Sequence, residues 1–169
     1  MSLTCCQIDW ACTHYLPPRC AFLGVLPANR IPTPKQLRKY KESCVAFIVN
    51  TDPSFMPGSH WLAFYRPSGI SSRLECFDSF GLPASHYGLV ANTAPSSECI
   101  CKTQFQANNT ATCGYFCLFY ILHRATRNRS IHSIIRTLKG VLRISADAYV
   151  KDFVKTYWPF PSTPSSHCK

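Results

Sequence analysis

The alternation of apolar and polar stretches predicts a sheet of about four or five strands in the first two-thirds of the chain and helices in the last third. Residues 22–26 form a short apolar run ended by Pro27, which predicts a strand or turn. Residues 44–50 are continuously apolar and partly β-branched, a composition that suits a buried strand better than so short a helix. Residues 60–66 and 73–79 are two further apolar runs joined through Pro67, Ser68 and Gly69, and so predict an antiparallel pair. Residues 99–105 alternate loosely, predicting a strand that ends just before Gln106.

From Cys113 the period becomes helical. Phe116, Phe119, Tyr120 and His123 fall at i, i+3, i+4 and i+7, predicting a mostly buried helix to about residue 127. Residues 130–142 place Ile131, Ile134, Ile135, Leu138 and Leu142 on one stripe, and residues 145–158 do the same with Ala146, Tyr149, Val150, Phe153 and Val154. Shorter helices are expected near Asp9–Trp10–Ala11, stopped by Pro17 and Pro18, at 35–43 behind a Thr33 cap with Pro34 in the first turn, and at 82–91 after Gly81. Segment 1–19 is otherwise without assignment, and the Pro- and Ser-rich stretch 159–169 is expected to be mobile. The expected architecture is one α+β domain over 1–169, a central mixed sheet flanked by helices.

This pattern puts one residue in a reactive position. The polar, turn-rich loop Ala107, Asn108, Asn109, Thr110 runs into Cys113 at the start of the buried helix, where unpaired N–H groups and the positive end of the dipole favour a thiolate. Gly114 lets backbone approach a bound reactant. Buried cysteines are common, and Cys117, one turn on, is expected to be a core residue. A thiolate needs a base, and the base an orienting group. His60 begins one strand of the predicted hairpin and Asp78 ends the other, which brings the two to adjacent strand ends.

Composition narrows the setting. The chain has 169 residues, enough for one sizeable core, and 46% hydrophobic with 13% aromatic residues excludes a disordered polymer. No apolar run approaches a membrane span, and the N-terminus lacks a basic region followed by an apolar core. Without a secretory signal, the eleven cysteines are expected to be reduced thiols, not a disulfide framework. Cys5, Cys6, Cys12 and His14 cluster without the usual zinc spacing, so no metal site is assigned. The formal charge of +10 gathers partly at Lys35, Arg38, Lys39 and Lys41, and again at Arg124, Arg127, Arg129, Arg136, Lys139 and Arg143, which points to a polyanion-binding surface.

Several of these residues resemble a known family. His60–Trp61, the acid in Phe77-Asp78-Ser79-Phe80-Gly81, and Gln106 seven residues before Cys113-Gly114-Tyr115-Phe116-Cys117 are similar to the adenovirus protease (adenain) family, within the superfamily of ubiquitin-like-protein-specific cysteine proteases. The likeness extends to Phe22-Leu23-Gly24, to the run Ala46–Thr51 and to the helix around Tyr149–Trp158. It implies a papain-like core with a permuted His–Asp–Gln–Cys order, in which Cys113 is the nucleophile, His60 the base, Asp78 the orienter and Gln106 an oxyanion donor. Trp61 would screen the His–acid pair and Gly114 would border the substrate. Asp78 departs from the Glu usual in the adenoviral branch and matches the cellular relatives.

The resemblance further implies a monomeric endopeptidase that cuts polypeptides next to Gly and needs no cofactor for its chemistry. It would work in the nucleus or cytoplasm of a host cell or inside a virion, unsecreted, and would come from an adenovirus-like virus or a Maverick/Polinton-type element. Sequence-independent DNA and an activating virion peptide are the implied partners, the peptide adding a strand and linking by disulfide to Cys99 or Cys101. A deconjugase of ubiquitin-like modifiers, an acetyltransferase of the same superfamily and a catalytically inactive nucleic-acid-binding module are the alternatives.

Overall fold

The computed structural model describes residues 2–40, 43–69, 73–89, 101–141 and 145–161. Its centre is a four-stranded mixed sheet in the order β1-β2-β3-β4, made of Cys20–Pro27, Cys44–Asn50, Trp61–Arg66 and Glu75–Phe77. β1 runs parallel to β2, while β2–β3 and β3–β4 are antiparallel. Among the described residues five α-helices accompany it: α1 (Cys5–Tyr15), α2 (Pro34–Leu37), α3 (Cys113–Thr126), α4 (Ile131–Val141) and α5 (Ala146–Tyr157). The protein is therefore α+β, with helices flanking a mixed sheet.

The unbroken apolar run of β2 has a direct cause: the strand is covered on both sides. Ala46, Ile48, Ala63, Tyr65 and Phe77 face one core with α1, α3 and α5. Val45, Phe47, Val49, Leu62, Phe64 and Cys76 face a second core with Ile31, Leu37, Leu74, Ala84 and Leu89. α3 lies deep in the first core, with every residue from Gly114 to Ala125 buried. Among the described residues no helix is long and apolar enough to cross a membrane.

Several elements differ from expectation. α1 is a full helix, begun by a capping box in which the Thr4 hydroxyl takes the Gln7 amide and the Gln7 side chain takes the Thr4 amide. Thr33 and Gln36 repeat the motif at α2, but the helix ends at Leu37 in a 3-10 turn, because Arg66 donates to the carbonyls of Leu37 (2.9 Å) and Tyr40 (2.6 Å). The helix expected at 82–91 is a 3-10 turn, Ala84–Tyr87, closed by Gly88 in the left-handed region. The chain is not extended in a strand at 101–105, and Cys99 lies outside the described residues. The start of the tail is held in place: Tyr15 donates to the Pro159 carbonyl at 2.6 Å, Gln7 to that of Pro161, and Phe160 packs on the first core. Cys6 is disulfide-bonded, so the thiols are not all reduced.

Candidate active site

Sheet register builds half of the site. Asn50 of β2 stands opposite Trp61 of β3, and the Thr51 amide closes on the His60 carbonyl at 2.9 Å. His60 is thereby fixed at the mouth of β3. On its other side β4 pairs Phe77 with Ala63, and Asp78 follows directly. The His60 Nε2 and Asp78 Oδ1 are 2.6 Å apart. Asp78 is wholly buried and its carboxylate is saturated, also accepting from the amides of Phe80 (3.2 Å) and Leu82 (2.9 Å) and the hydroxyl of Tyr87 (3.1 Å). Those donors need the chain to turn sharply after Asp78, and Gly81 (φ +72°) makes the turn. A β-carbon there would lie 2.7 Å from the Thr103 backbone.

The His60 ring sits against Phe80 and Tyr87. Burial pushes its pKa down, but the hydrogen bonds to Asp78 and then Cys113 outweigh burial and raise it to about 9. The shift favours the protonated ring at neutral pH, with the Cys113 side chain among its hydrogen-bond partners.

The other half is a loop and a helix end. The amides of Phe105 and Gln106 both donate to the Ser79 carbonyl, at 2.8 and 3.1 Å. This pairing explains why 101–105 ends against the turn after Asp78 and not in the sheet. Gln106 is buried, its Oε1 accepting from the Ser79 hydroxyl (2.7 Å) and its Nε2 donating to the Thr110 carbonyl (2.9 Å). A carbonyl can only accept, so the nitrogen must face Thr110. One N–H of Gln106 remains for another acceptor. Asp147, at the start of α5, then accepts from the Ala107 amide (3.0 Å), the Thr110 hydroxyl (2.7 Å) and the Thr112 hydroxyl.

Cys113 is the first residue of α3 and is partly exposed. A cleft of about 590 Å³ is lined by Cys113, His60, Trp61, Gln106, Phe80 and Asn50, with Ser2–Cys5 and Pro57–Ser59 along its walls. Gly114 is placed differently from expectation. It is buried and not among the cleft-lining residues, and a β-carbon on it would lie 2.8 Å from the Trp61 ring and 3.0 Å from Ile8. Glycine is needed there for packing. Cys117 is buried, its thiol donating to the Trp61 carbonyl at 3.3 Å; burial, then the nearby Cys113 and Asp78, pushes its pKa up.

Cys101 is 1% exposed, its thiol turned to the Thr103 carbonyl. Arg124 is not a surface base. It is buried, paired with Glu75 at 2.7 and 2.8 Å and stacked over Tyr65. His123 is a core residue whose pKa burial lowers to about 4, and its Nδ1 donates to the Phe119 carbonyl. Among the described residues, no three His, Cys, Asp or Glu side chains gather in metal-binding reach.

Ser79 and Tyr87 bond directly to Gln106 and Asp78, and Asp147 to the loop before Cys113; none of the three is among the residues expected from the sequence. Ser79 had a signal, being adjacent to Asp78 and able to bond a nearby amide. Asp147 had none.

No family model and no curated protein matches the chain. Among solved structures it is similar to the central domain of an uncharacterised protein, Lpg1148, from Legionella pneumophila, at 18% identity and a TM-score of 0.41, over 86% of this chain and 97% of that one. A likeness at that level assigns no activity.

Proposed function

We propose that this chain is a cysteine endopeptidase with a permuted papain-like core, related to the adenovirus protease family. The observation that carries the reading is His60 held between the saturated carboxylate of Asp78 and the thiol of Cys113, at a cleft that the buried Gln106 also lines. In this mechanism the Cys113 thiolate attacks a scissile carbonyl carbon. Gln106 Nε2 and backbone amides at the start of α3 receive the oxyanion. Imidazolium His60 gives its proton to the leaving amine, and the thioester is then hydrolysed by a water that His60 deprotonates. Trp61 lines the cleft, and the resemblance to the adenovirus protease family implies a groove that selects Gly beside the scissile bond.

Cleavage profiling with a peptide library tests this reading. Wild type should cut preferentially next to Gly, and folded Cys113→Ala should cut nothing. Activity in Cys113→Ala would end the assignment. Asp78 in place of Glu also keeps the deconjugase reading alive. A ubiquitin-like modifier bearing a C-terminal electrophile would label Cys113 in that case and leave it unlabelled in the other.

Polyanion binding belongs to the same proposal. Lys35, Arg38 and Lys39 are exposed on and after α2, whereas Arg124 is neutralised in the core. Affinity for duplex DNA should be independent of sequence and fall steeply with salt. Each Lys35→Ala, Arg38→Ala or Lys39→Ala change should reduce the logarithmic salt slope by about 1. A slope that does not move would assign the +10 charge to solubility.

A further inference from the structure

We propose that Asp147 is a positioning residue for the oxyanion side of the site, holding loop 106–112 in the shape that presents Gln106 to a substrate carbonyl. The inference rests on the endopeptidase reading above. The loop has no regular structure, and Ala107, Asn108, Asn109 and Ala111 are exposed, so it has few apolar anchors of its own.

Its geometry is imposed from α5. One carboxylate oxygen of Asp147 takes the Ala107 amide, directly after Gln106, and the other takes the hydroxyls of Thr110 and Thr112, the latter directly before Cys113. Both ends of the loop therefore close on one side chain. The Thr110 hydroxyl also lies within reach of the Ala107 carbonyl and of Thr112, but it has one proton, and the charged acceptor at 2.7 Å is the closest. Thr110 in turn supplies the carbonyl that orients the Gln106 amide. The line of support runs from Asp147 through Thr110 to Gln106 Nε2. Asp147 is itself buried at 8% exposure, and the loop supplies donors to both of its carboxylate oxygens.

A merely structural carboxylate would affect all chemistry at Cys113 alike. A positioning residue for the oxyanion side would affect only reactions that develop an oxyanion. Turnover of a cleaved peptide can be compared with alkylation of Cys113 by iodoacetamide, which needs the thiolate and no oxyanion donor. Modification is followed at the Cys113 peptide by mass spectrometry, because Cys5 is also exposed.

Asp147→Ala should lower kcat on the order of 10- to 100-fold, less than the direct loss of a donor, with KM and the alkylation rate close to wild type. Asp147→Asn should recover most of the rate, since its oxygen still accepts and the threonine hydroxyls can turn to accept from its amide. The Ala107 amide should exchange with deuterium faster in Asp147→Ala. Asp152→Ala, on the exposed side of α5, should change none of these. Should Asp147→Ala not fold, Thr110→Val should give the same split between turnover and alkylation. An unchanged kcat, an equal loss of alkylation or unaltered exchange at Ala107 would each overturn the proposal. Absence of wild-type turnover on any peptide would instead overturn the endopeptidase reading, and amide exchange would still decide whether Asp147 holds the loop.

Discussion

The two halves of the site are held by different means. His60 and Asp78 are fixed by strand register, flanked by β2, β3 and β4 and sealed by Phe80 and Tyr87. Gln106 and Cys113 are fixed by a loop whose side-chain hydrogen bonds reach across to Ser79 and Asp147. Backbone ladders share their load over many bonds, so one lost side chain seldom moves them. The loop concentrates its load on a few polar groups, and small changes there should reach the chemistry. On the proposed reading, the base would be the rigid half and the oxyanion side the half sensitive to distant residues.

Breaking the sheet-held half should have the largest effect. His60→Ala should remove turnover almost entirely, and Asp78→Asn should cost less, because the orienter helps the base without replacing it. The pH profile separates them further. With the His60 pKa raised to about 9, kcat/KM should fall on the alkaline side near that pH as the ring loses its proton. Asp78→Asn removes the charge that helps to raise the pKa, so this limb should move to lower pH. Stability follows the same sign: the contribution of His60 is complete below its ordinary pKa of about 6.5 and is lost as pH rises through about 9. Equilibrium unfolding across that range measures it. An alkaline limb that stays in place in Asp78→Asn would argue that the carboxylate does not set the charge on the ring.

Breaking the loop-held half comes next. Gln106→Ala should lower kcat about 10²–10³-fold, equivalent to about 2.7–4 kcal/mol of barrier, with little change in KM. Ser79→Ala, which frees the Gln106 oxygen, should cost less. Equal losses in kcat and in iodoacetamide reactivity would remove Gln106 from the oxyanion role.

The smallest effect is expected where the halves meet. Gly114 of α3 lies under the Trp61 ring of β3, and Gly114→Ala would force a β-carbon to within 2.8 Å of it. Such overpacking costs about 1–3 kcal/mol, measurable by chemical denaturation. A Trp61→Leu background, which removes the ring, should recover part of that loss. No recovery would mean that Ile8, not Trp61, sets the limit at this position.

The sheet-held half was legible in the sequence because its partners are close in the chain. Two apolar runs joined by a short turn imply antiparallel pairing, and pairing places His60 by Asp78. α3 was legible for a similar reason, its period being strong and unbroken. α1 was expected only as a short helix opening near Asp9, although Thr4 and Gln7 stand at capping-box spacing, because its apolar pattern is weak. The strand expected at 99–105 failed over its described part because the Ser79 carbonyl takes the Phe105 and Gln106 amides that a sheet neighbour would need. Arg124 looked like surface charge because charge is counted along the chain, whereas its burial depends on Tyr65 and Glu75 from the sheet. Asp147 sits in the first turn of a helix, where acids are common for local reasons. Nothing nearby distinguishes its hold on a loop far upstream.

That hold has a consequence for the order in which the chain is made. Asp147 follows Ala107 by 40 residues, so a growing polypeptide contains His60, Asp78, Gln106 and Cys113 before it contains the carboxylate that closes the loop. At ordinary rates of translation the interval between Cys113 and Asp147 is about 2–7 s. During it the nascent chain has its reactive groups without the completed oxyanion side. If the endopeptidase reading holds, full cutting power would come only after α5 has emerged, and premature cleavage of nascent chains would be limited in that interval.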